Sequence, residues 1–297
     1  MTGHIANAAW GSAPEATRDA ANLARDASLE LSALEFPEFR VAREFLRPNQ
    51  RVYVSHLPRQ DWAQTLEMCG VLAAADFDPV PHIPVRLLKS QKELDEVLHG
   101  LRAEGVREPL LISGDYPTAL GPFSNVAEVL RREVLGIHGF SRVSLAGHPE
   151  AHPAVPEKVI RQAQIDKWLM GAAMGLEVTF VTQFFFAADP FVQWARDLRA
   201  AGVAARLVAG LAGPASIGKL MRLARRCGVG PSIRALAARP ASMLKLLGEH
   251  SPGALMRDLA EERSTCSNLF DGVHLFSFGG FLQTATWLRQ YASSADE

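Results

Sequence analysis

Residues 178–210, VTFVTQFFFAADPFVQWARDLRAAGVAARLVAG, decide the predicted fold. The run 178–183 is rich in β-branched and aromatic residues, which is typical of a strand. Asp189 and Pro190 then suit an N-cap followed by proline at the first helical position. A second apolar run, 205–210, ends the stretch. The segment therefore predicts a strand, a helix and a second strand, which is the repeating unit of parallel α/β folds.

The same alternation extends over most of the chain. Short apolar runs are separated by stretches with apolar residues at three- and four-residue spacing, which is typical of amphipathic helices. The candidate strands are 28–33, 51–55, 78–83, 109–113, 142–146, 178–183, 205–210 and 273–278. Eight such units favour a closed parallel (β/α)8 or TIM barrel of the α/β class. An open doubly wound sheet is the competing architecture.

The chain is predicted to form a single domain. Residues 1–27 are Ala-rich and are assigned to a loose N-terminal arm, and 28–297 to the barrel catalytic domain. The stretch 231–268 is longer than a normal crossover. It predicts two or three short helices before the last strand, with breaks at Pro240 and at 251–253.

Composition excludes several classes of protein. With 48% apolar residues and a formal net charge of −1, the chain resembles an ordinary globular protein without a general attraction to nucleic acid or anionic membranes. No unbroken apolar segment suits a signal peptide or a membrane span. Cys69, Cys227 and Cys266 are too few and too scattered for a disulfide framework or a zinc site. We expect a cytoplasmic protein whose oligomeric state the sequence leaves open.

Polar residues cluster at the predicted strand ends. In (β/α)8 enzymes the site lies at the carboxyl ends of the strands, where the βα loops converge. A polar group within an apolar strand costs free energy unless it is paired. The residues at these ends include Glu30, Ser55, His82, Gly114, Asp115, His148, Glu150, His152, Gln183 and Gly210. Such a run at equivalent positions predicts a functional site.

Two acidic residues, Glu30 and Asp115, allow two interpretations each, and a third, Glu35, has one. Glu30 is either a barrel-interior carboxylate bonded to a neighbour or a general acid whose apolar surroundings raise its pKa. Glu35 is expected to be a solvated residue at a helix start. Asp115 suits either a ligand contact or a plain turn, and Gly114 beside it would let the backbone approach a flat ligand closely.

The segment HPEAH, 148–152, has the i, i+4 histidine spacing of a helical zinc site. Pro149 and Pro153 favour a loop instead, and no third ligand lies near in the sequence. We therefore expect His148 and His152 to contact a ligand that is not a metal, and we predict no metal site.

The segment GPASIGK, 213–219, is similar to a phosphate-binding P-loop. Leu220 replaces the Ser or Thr that would hold magnesium, so nucleotide hydrolysis is not expected. Backbone amides at a helix start could still meet an anion. There is no GxGxxG fingerprint for a Rossmann nicotinamide site.

Five motifs together resemble one family. SLELSA, VPHI, ISGDYP, GHPEAHP and VTQFFF occur in that order. They resemble the strand-one Glu, APHL, RGD-x-P, YPEVHPE and ITQFFF motifs of the methylenetetrahydrofolate reductases. The resemblance covers roughly 28–225, together with the last strand and helix at 273–291.

This resemblance implies an enzyme that passes hydride from NAD(P)H through FAD to 5,10-methylenetetrahydrofolate, giving 5-methyltetrahydrofolate. The reverse reaction would use the same residues. Glu30 would protonate N10 and open the imidazolidine ring of the substrate. Asp115 would lie near both flavin and pterin and take part in catalysis and binding. Gln183 would pair with the amide edge of the pterin, since it carries both a donor and an acceptor.

The flavin contacts implied by the resemblance are Ser55, His82, Gly114, Asp115, His148, His152 and Lys167. Ser113 stands where the family has Arg, and Ser cannot supply a bidentate phosphate contact. Direct hydride transfer from nicotinamide to folate is therefore the second route. A pterin-dependent methyl-transferring barrel and a non-catalytic folate-binding paralogue are the alternative functions.

Overall fold

The computed structural model describes residues 17–114, 116–150, 155–227 and 249–294. Its strands are β1 (Ser28–Leu31), β2 (Arg51–Val54), β3 (Asp78–Pro84), β4 (Leu110–Ile112), β5 (Arg142–Gly147), β6 (Glu177–Phe185), β7 (Arg206–Ala212), β8 (Ala215–Ser216), β9 (Glu249–His250) and β10 (Gly272–Phe276). Its α-helices are α1 (Arg18–Arg25), α2 (Phe36–Ala42), α3 (Trp62–Ala74), α4 (Gln91–Ala103), α5 (Val126–Leu130), α6 (Val134–Ile137), α7 (Glu157–Ala173), α8 (Ala188–Ala200), α9 (Ile217–Cys227), α10 (Gly253–Thr265) and α11 (Phe281–Ser293). Short 3-10 helices cover Arg43–Phe45 and Val85–Leu87.

Eight of the strands close into a barrel in the order β1-β10-β7-β6-β5-β4-β3-β2. Every pair of neighbours in this barrel is parallel. The (β/α)8 prediction is therefore confirmed, and the doubly wound alternative is wrong. Each predicted strand agrees with the observed one to within two residues at either end.

Side chains along each strand point alternately toward the surrounding helices and toward the barrel interior. Leu29 and Leu31 face outward and join the large core between the sheet and the helices. Ser28 and Glu30, at the alternate positions of β1, therefore face the barrel interior. A small apolar cluster fills the middle of that interior: Tyr53, Val80, Leu110, Val181 and Val208.

Helix α8 corrects one local prediction. It begins at Ala188, its cap residue is Ala187, and no side chain caps it. Asp189 therefore lies in the first turn instead of at the N-cap. There its carboxylate still favours the positive end of the helix dipole.

Part of the predicted N-terminal arm packs against the barrel. Residues 18–25 form α1, whose Leu23 and three alanines are buried against α10 and α11. Arg25 Nη2 also donates to the carbonyl oxygen of Ala292 at 2.9 Å. The domain boundary after residue 27 remains a prediction.

One extra helix before the last strand is confirmed. The predicted break at 251–253 agrees with the start of α10 at Gly253. The predicted break at Pro240 lies outside the described residues.

A buried polar network occupies the barrel interior at the amino ends of the strands. Ser144 Oγ donates to Glu108 Oε1 at 2.6 Å, and Arg51 Nη2 lies 2.8 Å from Glu108 Oε2. Arg51 Nε also lies 3.3 Å from Asp78 Oδ2. The Tyr53 hydroxyl is 3.1 Å from Ser144 Oγ, and burial raises its pKa to about 12. Glu108 is only 1% exposed, so its charge depends on Arg51 for compensation.

The loop between β2 and α3 is fixed by His56. This buried imidazole stacks on Trp62 with ring centroids 3.8 Å apart, and its Nδ1 lies 2.8 Å from Thr65 Oγ1. Burial lowers the pKa of His56 to about 4, and the nearby His82 acts in the same direction. His56 is therefore neutral in the folded protein at neutral pH.

We expect Glu108→Ala to lower the free energy of unfolding by about 2–3 kcal/mol, because it removes the more buried of the two carboxylates that pair with Arg51 and takes the acceptor from Ser144. Glu96→Ala is the matched control, since that carboxylate is 63% exposed and pairs only with Lys92. Its removal should cost less than about 1 kcal/mol. Urea unfolding of both variants measures the difference. Equal stabilities would contradict the structural role of Glu108.

His56 also predicts a pH dependence of stability. Its pKa is about 4 in the folded state and near 6.5 when unfolded, so the unfolded chain binds the proton first as pH falls. The stability contributed by neutral His56 is complete above pH 6.5 and is lost between pH 6.5 and 4.

His56→Asn should therefore lose less stability than wild type between pH 7 and pH 4.5. We expect a difference of about 1–2 kcal/mol after allowing for solvent screening. Urea titrations at the two pH values test this, with the exposed His99→Asn as control. The same pH dependence in all three proteins would refute it.

Candidate active site

Glu30 lies at the carboxyl end of β1, with 23% of its side chain exposed. Its Oε1 accepts a hydrogen bond from Ser55 Oγ at 2.5 Å. Ser55 directly follows the neighbouring strand β2, and its backbone N–H donates to the Leu31 carbonyl oxygen at 2.9 Å. The parallel register thus brings together two residues that the sequence placed at separate strand ends.

His274 approaches Glu30 from the other side, on β10. Its Nε2 lies 3.9 Å from Glu30 Oε2, and its Nδ1 lies 2.9 Å from Ser28 Oγ. Ser28 can also donate to the carbonyl oxygen of Val273, at 3.4 Å, while it accepts from Nδ1–H. This arrangement directs the other ring nitrogen of His274 toward the carboxylate.

Sequence reasoning missed Ser28 and His274. The available signal was their position, since each is a polar residue at an inward position of a short apolar strand. The register pairs them directly across β1 and β10.

The pKa of Glu30 departs from the prediction. Burial does act to raise it, as expected from the apolar surroundings. The favourable interaction with the nearby His274, the proximity of His82, and the hydrogen bond from Ser55 outweigh burial, so the pKa of Glu30 is lowered. The expectation of a raised pKa is therefore wrong, because it did not include these partners.

His82 lies inside the barrel on β3. Burial lowers its pKa, although the Glu30 carboxylate acts in the opposite direction. Its Nε2 is buried and has no hydrogen-bond partner among the described residues. A buried polar atom of this kind is expensive unless something pairs with it. A ligand entering the barrel mouth would supply that partner.

Gln183 lies in a bulge of β6. The register with β7 shifts between Val181 and Phe184, which inserts an extra residue and re-aims the side chain. Gly210 makes room for this bulge, since a Cβ there would overlap the Thr182 carbonyl oxygen and lie 2.9 Å from that of Gln183. The side-chain Nε2 of Gln183 is buried and also lacks a partner in the described part of the chain.

Three phenylalanines, here called the aromatic wall, connect the two sides: Phe184, Phe276 and Phe278. Phe276 stacks on Phe278 at 5.7 Å, and Phe184 meets Phe278 edge-on at 5.0 Å. The Phe276 ring also contacts His274 at 4.6 Å and lies against Gly210. A continuous row of contacts therefore runs from the Glu30 side of the barrel to the Gln183 bulge.

Glu35 is not the solvated residue that was expected. It does mark a helix start, as the cap residue of α2, but it is only 4% exposed. Four donors converge on its two oxygens: the N–H and Oγ of Ser32, the Oγ of Ser277 and the N–H of Gly279. The prediction failed because the last two donors come from the other end of the chain.

Gly114 has a local reason for being glycine. Its φ is +86°, and a Cβ there would lie 2.9 Å from the Tyr116 ring and 3.3 Å from Pro84 Cβ. The turn after β4 requires this conformation whether or not a ligand binds. The neighbouring Asp115, predicted to be catalytic, lies outside the described residues.

The remaining predicted flavin contacts are His148, His152 and Lys167, and their positions differ. His148 follows β5 directly and so lies at the barrel rim. His152 lies outside the described residues. Lys167 is half-buried on α7, about 15 Å along the helix from its rim end at Glu157, and burial lowers its pKa to about 8. The structure does not bring Lys167 next to Glu30.

The described residues contain neither a group of metal ligands nor a helix suited to cross a membrane. No three His, Cys, Asp or Glu side chains among them are grouped as ligands for a metal ion. None of the described helices combines the length and the hydropathy that a bilayer crossing requires.

The arrangement provides the elements of proton-coupled chemistry on a flat polar ligand. Glu30 can exchange a proton, and His274 can share it. His82 and Gln183 offer unpaired polar atoms, and the aromatic wall offers apolar contact.

Comparison with known proteins identifies the family. The family model for methylenetetrahydrofolate reductase matches residues 65–233. Methylenetetrahydrofolate reductase (NADH) 1 of Arabidopsis thaliana is 26% identical over 151 residues, which are 46% of this chain and 25% of that protein. A probable methylenetetrahydrofolate reductase (NADH) of Oryza sativa subsp. japonica is 26% identical over 135 residues, 40% of this chain and 22% of that protein. The matched region is thus about a quarter of these relatives' length.

Among solved structures, the dihydropteroate synthase of Thermus thermophilus in complex with 6HMPPP aligns with 88% of this chain and 90% of its own. The TM-score is 0.46 and the identity 10%, so nothing about function follows from this likeness. The family match is different in kind, because it covers more than half of the sequence. The chain belongs to the methylenetetrahydrofolate reductase family.

Proposed function

We propose that this protein interconverts 5,10-methylenetetrahydrofolate and 5-methyltetrahydrofolate with NAD(P)H, and that Glu30 exchanges the proton at N10 of the folate. One observation carries the proposal: Glu30 lies at the carboxyl end of the barrel between Ser55 and His274, and its side chain is partly exposed. Family membership supplies the class of substrate.

In the reducing direction, protonated Glu30 gives its proton to N10 as the bond from N10 to the bridging carbon breaks. The resulting iminium carbon accepts a hydride and becomes the methyl group. In the oxidising direction a hydride leaves the methyl group for the oxidised nicotinamide, N10 bonds to the resulting iminium carbon, and the ionised Glu30 carboxylate takes the proton that N10 loses.

The lowered pKa of Glu30 means that the empty site holds a carboxylate near neutral pH. The reducing direction therefore requires a proton to be supplied. His274 Nε2 faces the same carboxylate from 3.9 Å, so His274, when protonated, can supply it.

Two unpaired atoms support the binding of a pterin. The Gln183 amide carries a donor and an acceptor, which match the amide edge of a pterin ring. The neutral imidazole of His82 offers a further polar contact through its unpaired Nε2. Binding would remove the free-energy cost of leaving these atoms buried without partners.

The described residues fit a flavin only in part. His82 suits contact with a flavin ring, but the diphosphate requires donors that are in use elsewhere. The only proton of the Ser55 hydroxyl goes to Glu30. Arg86 donates to the carbonyl oxygens of Gly114, Tyr116 and Ser124. No step is therefore assigned to FAD. An isotope experiment distinguishes direct hydride transfer from transfer through flavin.

Glu30→Gln should reduce kcat/KM by about 10²–10⁴-fold, because general acid–base catalysis is lost while the shape of the side chain is kept. The dissociation constant for 5-methyltetrahydrofolate, measured by fluorescence titration, should change less than about threefold. Anaerobic assays with each nicotinamide and both folates measure the rates. Glu96→Gln is the exposed control.

Turnover of Glu30→Gln at the wild-type rate would remove Glu30 from the mechanism. Tight folate binding by wild type without turnover in either direction would instead select a non-catalytic paralogue. Dependence on a methyl acceptor without nicotinamide oxidation would select a methyl transferase.

The hydride route has its own test. Reduction with nicotinamide deuterated at C4 should place the full label in the methyl group if transfer is direct. Passage through flavin would lose label to water, since the hydrogen on N5 of a reduced flavin exchanges. The assay is run with and without added FAD, after the purified protein has been titrated with FAD. With Ser113 in place of the family's Arg and the Ser55 hydroxyl bonded to Glu30, we expect direct transfer and full label.

A further inference from the structure

We propose that Glu35 is a positioning residue that fixes the Glu30 main chain and the aromatic wall in one arrangement for folate binding. This inference rests on the proposed function. Glu35 belongs to none of the motifs that carry the family resemblance, and its role follows from four hydrogen bonds.

The two oxygens of Glu35 connect two loops at the barrel mouth. Oε2 accepts from Ser32 N–H at 3.0 Å and from Ser32 Oγ at 2.5 Å, in the loop after β1. Oε1 accepts from Ser277 Oγ at 2.6 Å and from Gly279 N–H at 2.8 Å, in the loop after β10. A single buried carboxylate therefore ties together the loops that flank Glu30.

Ser277 extends this connection to Glu30 itself. Its Oγ lies 2.7 Å from the Glu30 carbonyl oxygen as well as 2.6 Å from Glu35 Oε1. The single hydroxyl proton is shared between these two acceptors. The main chain at Glu30, which carries the side chain that exchanges the proton, is thus held through Ser277.

The turn after β10 requires a restraint of this kind. Phe278 has φ +51° and Gly279 has φ +83°. A bulky aromatic residue in the left-handed region is strained, and such strain persists only where surrounding contacts enforce it. The bonds from Glu35 to Ser277 and Gly279 lie on both sides of Phe278. They hold its ring against Phe276 and Phe184.

The site requires a carboxylate at position 35 because each of its two oxygens faces a backbone N–H, of Ser32 or of Gly279, that can only donate. Glutamine has nearly the same shape, but it would turn its NH2 group toward one of the two pairs of donors. That pair would lose its acceptor while buried, which is more costly than losing a bond in solvent.

Glu38 provides a matched control on the same helix. Its Oε2 accepts from Leu282 N–H at 2.9 Å and so also links α2 to α11. It does not contact Ser277, Gly279 or the Glu30 main chain. Glu38→Gln thus makes the same chemical change on α2 at a carboxylate that bonds to α11 instead of to the loop after β10.

The experiment compares Glu35→Gln, Ser277→Ala and Glu38→Gln in the full chain. The dissociation constant for 5-methyltetrahydrofolate is measured by fluorescence titration, and kcat and KM are measured per folded molecule. We expect Glu35→Gln to weaken folate binding at least tenfold and to lower kcat at least tenfold. Ser277→Ala should act in the same direction, at about threefold or more, and Glu38→Gln should stay within twofold of wild type.

A role in stability alone would give a different pattern. Glu35→Gln would then lower the melting temperature and the yield of folded protein, but its folate dissociation constant and kcat per folded molecule would match Glu38→Gln. That result would overturn the proposal. If Glu35→Gln does not fold, Ser277→Ala decides by the same criteria.

Glu30→Gln is measured alongside to separate the two proposals. An inactive Glu30→Gln with unaffected Glu35→Gln and Ser277→Ala would overturn the role of Glu35 and leave the proposed function standing. A fully active Glu30→Gln would overturn the function of Glu30. The folate dissociation constants, which require no turnover, would then still decide whether Glu35 positions the binding site.

Discussion

Placing a carboxylate inside a barrel of apolar strands costs free energy. At the carboxyl end of this barrel, the partners of Glu30 offset that cost. Desolvation opposes the charge on Glu30, and no single partner offsets it. Ser55 arrives from β2 and His274 from β10, so both neighbours of β1 contribute. His274 in turn requires Ser28. The barrel register is therefore a condition for the chemistry, because it brings residues distant in sequence to one carboxylate.

A second buried carboxylate, at the amino end of the barrel, is also compensated by its neighbours, but its role differs. Glu108 is also buried and bonded, but its partner is the guanidinium of Arg51, which cannot give up its proton under ordinary conditions. That pair is fixed and structural. Glu30 has two imidazoles and a hydroxyl as neighbours instead, and none of these carries the permanent charge of a guanidinium. The type of partner, more than the degree of burial, separates a structural carboxylate from a reactive one.

The sequence predicted the barrel well because strand alternation and parallel connection are local patterns. It also placed Glu30, Ser55, His82 and Gln183 near one end, since strand ends converge in this fold. It could not predict the pKa direction of Glu30 or the burial of Glu35. Both depend on β10, which lies more than two hundred residues away in sequence and closes the barrel against β1. Periodicity reports what faces inward, but it does not report which side chains meet there.

The absence of a side chain at Gly210 is what allows the neighbouring strand to present Gln183. Because two carbonyl oxygens of β6 occupy the space where a side chain would begin, even a methyl group at this position would push the neighbouring strand away. The displaced strand is the one that carries Gln183. Positions 183 and 210 therefore depend on each other: any side chain at 210 would remove the backbone geometry that presents the amide at 183.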